Sequence, residues 1–452
     1  MLQKSLHSAI ARNLKRAIID KLPLNIGGIH KGDNPQIHHA IATTALRKTW
    51  EYKVPMVLAT ADISRAFATI PHSLILEGLR DLQVEESLIC LIGWVLRTAT
   101  IEINMPTRDA FSIVLQRGVV EGSPLSMLLL AVASYKLLKY LNDDAHFAAA
   151  MMTLPTALES CELLIPPHLW VDDWLLCAPS RDSMQTQLTR LQALLNRHGM
   201  EIKTDKIHWI ANDQIMEQQI FFGGQAIDKE NTLVYMGLKL DAKGSINTHV
   251  EFRRSQANAV WARTWQSTSF ARTPRAIKIR LYTSTFLKSL TWGIGSFPDM
   301  TSTLTGMSTK ALKPLRCLYG KKASETVEHW WRRAHNQLRR DRYAGEIRHP
   351  MHEVVNQWRL LGSFVKEHPQ HTLAKLLSWR GTAWLKLGLT RYQRPMRRQG
   401  QVPQLLESIA AEINGKEHRM LKVVKRYLEA DCKPDPSFHS SSPPSPPLSQ
   451  AF

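Results

Sequence analysis

Two adjacent aspartates constrain the fold of this chain more than any other feature of its sequence. Asp172 and Asp173 separate two short apolar segments that are typical of β-strands, so the sequence predicts a hairpin with both carboxylates at its tip. Because each carboxylate raises the pKa of the other, such a pair is favourable where a hard divalent cation neutralises it. A solvated turn is the simpler interpretation, since aspartate is common in turns.

Asp62 is a further acidic residue at the end of an apolar strand. Residues 55–61 form that strand pattern, and a helical pattern follows from Pro71 to Leu82. If the two acidic strands are neighbours in one sheet, the carboxylates of Asp62 and Asp172 can hold two Mg²⁺ ions about 4 Å apart. Such ions stabilise the attacking and leaving oxygens of a phosphoryl transfer.

The positive charge is concentrated in one half of the chain. Of the formal net charge of +19, residues 1–250 contribute −1 (24 Lys and Arg against 25 Asp and Glu), and residues 251–452 contribute +20 (34 against 14). A basic half joined to a neutral half is typical of a protein that contacts a polyanion, most often a nucleic acid. A solvated helical surface is the alternative.

Several classes of protein do not fit the composition. No apolar run reaches the ~18 residues of a membrane helix, and the N-terminus lacks the apolar segment of a secretory signal. The five cysteines are scattered and form no C-x-x-C pair, which argues against a disulfide framework or a zinc site. We therefore expect a soluble intracellular protein without a membrane segment.

The patterns divide the chain into two kinds of structure. Helices and strands alternate up to residue 240, whereas helical spacing dominates beyond residue 248. The sequence thus predicts an α+β part with an antiparallel sheet, followed by an all-α part. Within the first part, we expect a buried helix at 124–138, a strand pair at 101–103 and 111–116, an inserted loop with a short helix at 141–167, and a strand at 233–240.

Five segments, in this order, resemble the reverse transcriptase of non-LTR (LINE-type) retrotransposons. The resemblance covers residues 5–320 well and residues 320–420 more loosely. The matching segments are 62–67 (DISRAF), 117–126 (RGVVEGSPLS), 170–173 (WVDD), 199–202 (GMEI) followed by Lys206, and the primer-grip hairpin at 235–237 (YMG).

The resemblance implies a right-hand polymerase that extends a DNA primer with dNTPs on an RNA template. Its parts would be partial fingers and palm (1–240), a helical thumb (241–320), a basic helical extension (321–432) and a disordered Pro/Ser tail (433–452). The implied cofactor is a pair of Mg²⁺ ions, with Mn²⁺ as a substitute. We expect a nuclear protein with a cytoplasmic phase, and an endonuclease supplied in trans, because no nuclease segment or Cys/His knuckle is visible.

By the same resemblance, Asp62 and Asp172 are the metal ligands, together with the carbonyl of Ile63, and Asp173 assists them. Lys206 would protonate or neutralise the pyrophosphate leaving group. Phe67 stands where RNA-dependent RNA polymerases carry an acid that accepts the ribose 2′-OH. A bulky apolar ring there favours deoxynucleotides, although a core aromatic residue is the alternative interpretation.

The resemblance implies further residues that contact the nucleotide or the primer, and the basic helical half adds arginines as candidates for phosphate contact. Gly122 would let the backbone approach the base pair, since it lacks a Cβ, and Pro124 would begin the next helix. The nucleotide-binding set is Lys31, Ile63, Ala66, Phe67, Glu121, Gly122 and Pro124; the primer grip is Tyr235, Met236 and Gly237; and the candidates for phosphate contact are Arg332, Arg333, Arg339 and Arg340.

Three positions depart from the family pattern. Glu121 stands where glutamine is usual, Trp170 replaces a tyrosine or phenylalanine, and His30 replaces the arginine of the triphosphate cradle, where Lys31 would compensate. These departures leave a second hypothesis open, namely a catalytically inactive remnant that binds RNA through its basic half. A group II intron maturase shares the palm, but the tail shows neither a zinc ribbon nor a nuclease motif.

Overall fold

The structure of the chain is a computed structural model. It describes residues 2–105, 108–155, 162–212, 215–216, 218–266, 273–297, 307, 311, 313–319, 322–343, 347, 350–368 and 370–378. The predicted Pro/Ser tail at 433–452 and much of the predicted extension lie outside these residues, and the predicted domain boundaries stay predictions.

A five-stranded sheet lies at the centre of residues 1–240. Its strands are β1 (Ile26–Gly27), β2 (Val57–Asp62), β7 (His168–Trp170), β8 (Asp173–Ala178) and β9 (His208–Ala211). Their order is β1-β7-β8-β2-β9. The neighbouring strands are antiparallel, as predicted, except for β1 and β7, which pair in parallel.

Both faces of this sheet are buried. Side chains alternate between the two faces of a strand, so Val57, Ala59 and Ala61 of β2 join one apolar core whereas Leu58 joins the other. The helices of this part are α1 (Leu2–Ile18), α2 (Pro35–Tyr52), α3 (Ala66–Thr69), α4 (His72–Asp81), α5 (Glu86–Thr98), α6 (Ser126–Asp143), α7 (Ala145–Ala149) and α8 (Arg181–Arg197). The sheet is therefore the middle layer of three.

Four hairpins lie outside the central sheet. They are β3 (Thr100–Met105) with β4 (Arg108–Val114), β5 (Met152–Pro155) with β6 (Glu162–Ile165), β10 (Gln219–Phe222) with β11 (Gln225–Asp228), and β12 (Thr232–Tyr235) with β13 (Leu238–Asp241). The β3–β4 hairpin confirms the predicted strand pair.

Two predictions in this region were wrong. Residues 141–167 are not an inserted loop with one short helix, because α6 continues to Asp143 and the β5–β6 hairpin follows α7. These strands are too short to show a period in the sequence. Residues 233–240 are not one strand, because Met236 and Gly237 take positive φ values of 46° and 75° and turn the chain.

The described residues after 245 are mainly helical, as predicted. The helices are α9 (Ile246–Gln266), Arg275–Leu281, a π-helical turn at Tyr282–Leu287, Lys288–Thr291, Val327–Tyr343, Pro350–Glu367 and Thr372–Ser378. Helix Pro350–Glu367 is tied to the rest through Gln357, which accepts a hydrogen bond from Gly295 N (2.7 Å) and donates one to Thr291 O (2.7 Å). Within the described ranges, none of the helices has the length and apolar character that crossing a bilayer requires.

Candidate active site

Three carboxylates converge at one end of the central sheet. Strands β2 and β8 are antiparallel neighbours in which Asp62 pairs with Asp173. Asp172 lies in the two-residue turn between β7 and β8, where Trp170 pairs with Asp173, and its carbonyl accepts a hydrogen bond from Ile63 N (3.3 Å). The two acidic strands are therefore neighbours, which is the condition under which the sequence predicts a carboxylate cluster.

The turn that carries Asp172 is strained. Val171 has a φ of +62°, a conformation that a β-branched residue rarely adopts. Trp170, the residue before it, lies with its ring centroid 5.4 Å from that of the buried His38, and a methyl group on Gly27 would overlap both rings. Such strain persists only where the surroundings hold it, so the close packing of Gly27, His38 and Trp170 fixes the position of the turn.

The cluster is electrostatically unfavourable for carboxylates alone. Burial, together with the charges of Asp172 and Asp62, raises the pKa of Asp173 to about 6. Burial also raises the pKa of Asp172, and the carboxylate of Asp62 adds to that effect. A divalent cation held by these oxygens would remove the repulsion, so the donor set suits Mg²⁺.

The chain supplies an incomplete ligand set for such an ion. Across the described ranges, no group of three His, Cys, Asp or Glu side chains is already arranged to hold a metal. Mg²⁺ in polymerase and kinase sites commonly takes one or two carboxylates, with waters and substrate phosphates completing the octahedron. The arrangement at Asp62 and Asp172 fits that pattern.

Lys206 faces the cluster from a short 3₁₀ helix, Thr204–Lys206. Its Nζ lies 3.2 Å from Oδ2 of Asp62, and this contact raises the pKa of Lys206. The lysine is therefore protonated near neutral pH, as a proton donor must be.

Phe67 lies at the start of the helical segment that follows Asp62. It is half-buried on α3, beside the fully buried Ala66. Its carbonyl accepts a hydrogen bond from Val119 N (2.6 Å), and Gly118 N donates to Ile70 O (2.7 Å). These two bonds join the segment 117–122 to α3.

The predicted nucleotide-binding residues of segment 117–126 are exposed. Glu121, Gly122 and Pro124 all face solvent. Gly122 has a φ of +77°, and a Cβ there would meet nothing within 4 Å, so the space beside it is open. The following helix, α6, begins at Ser126 and ends at Asp143, later at both ends than predicted. One supporting contact escaped sequence reasoning: His7 Nδ1 lies 2.8 Å from Ser123 Oγ.

Lys31 and His30 occupy the loop between β1 and α2. Lys31 is exposed, and its Nζ lies 3.1 Å from Oε1 of Glu367 in helix Pro350–Glu367. His30 is buried, which lowers its pKa, and its Nε2 lies 3.2 Å from the carbonyl of Pro23. The loop directly follows Gly27, which lies against Trp170 beside the aspartate turn. Lys31 itself, however, pairs with a carboxylate of the helical half.

The predicted primer grip is the turn between β12 and β13. Tyr235 is buried, whereas Met236 and Gly237 form the turn. Sequence reasoning missed the two side chains that support it: Trp292 Nε1 donates to Met236 O (3.3 Å), and Arg253 Nη1 donates to Gly237 O (3.4 Å). Neither residue lies in a recognisable motif, so no sequence signal pointed to them.

The four candidate arginines on helix Val327–Tyr343 differ in their surroundings. Arg333 makes two hydrogen bonds of 2.8 Å to the carboxylate of Glu325, and Arg332 makes one of 2.6 Å to Glu328. Arg339 and Arg340 are exposed. Arg332 and Arg333 therefore pair with carboxylates of the chain, Arg332 at the surface, and the exposed Arg339 and Arg340 present their charge to solvent.

A family profile decides the class of the chain. The profile described as "Reverse transcriptase (RNA-dependent DNA polymerase)" matches residues 1–240, more than half of the chain. The chain belongs to the reverse transcriptase family. The resemblance to non-LTR retrotransposons that the motifs indicate is confirmed by the relatives.

Two relatives are Pol polyproteins of the type-1 retrotransposable element R2. The protein from Nasonia vitripennis is 28% identical over 156 residues, which are 34% of this chain and 14% of that protein. A protein from Popillia japonica is 25% identical over 206 residues, 45% of this chain and 27% of that protein. The chain thus spans only a small part of the curated reverse transcriptase relatives that it matches.

Solved structures of telomerase are similar to this reverse transcriptase at low identity. The apo telomerase from Candida tropicalis aligns with a TM-score of 0.41 at 10% identity, over 84% of this chain and 60% of that chain. The telomerase from Candida albicans, in complex with a fragment of telomeric RNA, aligns with a TM-score of 0.41 at 11% identity, over 75% of this chain and 58% of that chain.

Proposed function

We propose that this chain is an RNA-directed DNA polymerase of a non-LTR retroelement, which extends a primer with dNTPs on an RNA template. The observation that carries the proposal is the convergence of three aspartates: Asp62 and Asp173 pair on adjacent strands, and Asp172 lies in the adjoining turn. The central sheet would serve as the palm, the helices from α9 onward as the thumb, and the basic half as the surface for nucleic acid.

The metal ligands of this polymerase would be Asp62, Asp172 and the carbonyl of Ile63, with Asp173 assisting. Bound Mg²⁺, or Mn²⁺ in its place, would stabilise charge on the attacking and leaving oxygens of the phosphoryl transfer. The protein's own contribution is rigidity, because the ligands lie on strand ends and on a turn held by packing.

The direct test is primer extension on a poly(rA)/oligo(dT) duplex in Mg²⁺ or Mn²⁺, with dTTP as substrate. The proposal predicts incorporation of dTTP that stops in EDTA and in the Asp172→Asn/Asp173→Asn protein. Folded wild-type protein that binds the duplex without incorporating dTTP would contradict it and would favour the RNA-binding remnant. Salt-sensitive affinity would identify the binding as phosphate contact.

Lys206 is expected to act on the leaving group. Lys206→Gln should lower the single-turnover extension rate by about a hundredfold, which is the lower range for general acid catalysis. The matched control is Lys203→Gln, since Lys203 is exposed in the same segment and should leave the rate unchanged. If Lys206→Gln and Lys203→Gln extend the primer at the same rate, Lys206 does not act on the leaving group.

Phe67 is expected to select the sugar. Phe67→Ala should increase the ratio of UTP to dTTP incorporation by about tenfold or more, because space for the 2′-OH replaces the ring. The ratio of kcat/KM values for the two nucleotides measures this effect directly. An unchanged ratio in an active Phe67→Ala protein would show that the ring only fills the core.

A further inference from the structure

A polar cleft lies outside the aspartate cluster. It has a volume of about 520 Å³, and it opens between the start of α4, the segment before Gly118 and the end of α8. Among the described residues that line it, none is acidic. The side chains that matter are His72, Ser73, Gln116, Arg117, Arg197 and His198.

Arg117 and His198 line this cleft with polar side chains. Arg117 Nη2 donates to the carbonyl of His198 (2.8 Å), but Nε of Arg117 and Nε2 of His198 are buried without a hydrogen-bond partner among the described residues. A buried polar atom without a partner is unfavourable. Glu77, whose charge acts on His198, accepts a hydrogen bond from the hydroxyl of Tyr140 (2.9 Å). The charges of Arg117 and Arg197, with no acidic side chain among the described lining residues, suit the cleft to an anion with several oxygens.

The first turn of α4 adds to this preference. Its N-cap residue, Pro71, makes no side-chain hydrogen bond to the helix, and the N-terminal end of a helix attracts negative charge. His72 also holds the neighbouring loop, since its Nε2 lies 2.8 Å from the carbonyl of Gly118. Two arginines, two histidines and a helix start thus face one space.

The cleft is next to the segments that carry the candidate active site. On one side, Gly118 is joined to α3 through Ile70. On the other side, the chain runs from His198 to Glu201, whose carbonyl accepts a hydrogen bond from Ser64 N (2.9 Å). The cleft therefore adjoins the backbone segments that are hydrogen-bonded to Ser64 and Ile70.

We propose that this cleft is a phosphate-binding site, separate from the aspartate cluster, with Arg117 and Arg197 as its cationic ligands. The phosphate group would come either from a nucleic-acid strand or from a free polyphosphate such as pyrophosphate. Binding of phosphate in the cleft is measured in EDTA and without nucleotide, so it does not require polymerase activity. A negative binding result would therefore leave the polymerase proposal standing, and a negative extension result would leave the phosphate site standing.

The test uses two probes, inorganic pyrophosphate and a short fluorescein-labelled oligoribonucleotide. Arg197→Gln removes an exposed cleft arginine without touching the core. The control Arg190→Gln removes an arginine of the same helix that lies 3.7 Å from Asp144. In a second readout, the thiol introduced by Ser73→Cys is alkylated in the cleft, while the native exposed Cys90 serves as an internal control.

The proposal predicts that Arg197→Gln weakens the binding of one probe about tenfold, as expected for the loss of one charge-assisted hydrogen bond. Arg190→Gln should leave the affinity unchanged. The same probe should slow alkylation at position 73 and not at Cys90. If the oligoribonucleotide is that probe, the slope of log Kd against the logarithm of the salt concentration should also be smaller by about 0.7 in Arg197→Gln.

Two results would overturn the proposal. The first is equal affinity of wild-type and Arg197→Gln protein for both probes, with no protection at position 73. The second is an equal loss of affinity in Arg190→Gln, which would mean that only the net charge matters. If Arg197→Gln weakens the binding of pyrophosphate, the ligand of the site is a free polyphosphate. If it weakens the binding of the oligoribonucleotide, the ligand is a phosphate of a nucleic-acid strand.

Discussion

Replacing Asp172 with asparagine is expected to abolish primer extension while leaving the fold intact. Its carboxylate is one of the two carboxylates proposed as metal ligands and lies in the turn between β7 and β8, and a catalytic metal contributes several kcal/mol to the stability of the transition state. The rate should fall by about a thousandfold or more. Rapid-quench kinetics in Mg²⁺ measures this loss.

The matched control is Asp182→Asn on α8. Asp182 is exposed and paired with Arg181, so its loss should leave both the rate and the stability unchanged. An Asp172→Asn protein that extends primers at the wild-type rate would contradict the assignment of Asp172 as a metal ligand.

The burial of Asp173 and its repulsion by Asp172 and Asp62 also predict an effect on stability. The folded protein raises the pKa of Asp173 to about 6, above the value near 3.9 in an unfolded chain. Near neutral pH the ionised carboxylate therefore destabilises the metal-free fold, and Asp173→Asn should raise the midpoint of thermal unfolding in EDTA. The gain should shrink as the pH falls below about 6, because the wild-type carboxyl is then protonated. A lower midpoint for the variant in EDTA would contradict this account.

Gly118→Ala is expected to be the most destabilising substitution near the site. Gly118 has a φ of +82°, and a Cβ there would lie 2.6 Å from the carbonyl oxygen of Ala68. The left-handed conformation and the steric overlap together should cost about 2 to 4 kcal/mol of unfolding free energy. Chemical denaturation followed by circular dichroism measures this change.

Gly224→Ala separates the two contributions. Gly224 has a similar φ of +78°, but a Cβ there would meet nothing within 4 Å, so the substitution should cost only about 1 to 2 kcal/mol. It lies in the turn between β10 and β11, away from the aspartates. Equal losses for Gly118→Ala and Gly224→Ala would show that segment 117–122 does not pack against α3.

The sequence alone predicted the centre of the site well. Asp62 and the pair Asp172-Asp173 end apolar segments whose hydrophobicity requires burial, and buried strands pair within one sheet. Because both acids lie at the ends of their strands, pairing brings them together. The motif at Met236 and Gly237 likewise indicated the primer-grip hairpin, although residues 233–240 as a whole were predicted to form one strand.

The side-chain contacts that support the site could not be predicted, because they join residues that are distant in the sequence. His7 and Ser123 are 116 positions apart, and Lys31 and Glu367 are 336 positions apart. No local pattern of apolar or polar residues encodes such contacts, since they depend on how complete elements pack. The pairing of Lys31 with Glu367 is the clearest case, because the motif alone suggested a nucleotide contact.

If Asp62 and Asp172, assisted by Asp173, form one site for divalent metal, iron-dependent cleavage of the chain will locate it. Fe²⁺ accepts the oxygen ligands that hold Mg²⁺, and with peroxide and ascorbate it generates radicals that cut the chain next to the ion. The account predicts cuts near residues 62 and 172–173, suppressed by excess Mg²⁺ and absent from the Asp172→Asn/Asp173→Asn protein. Cuts elsewhere, or cuts that persist in that variant, would contradict it.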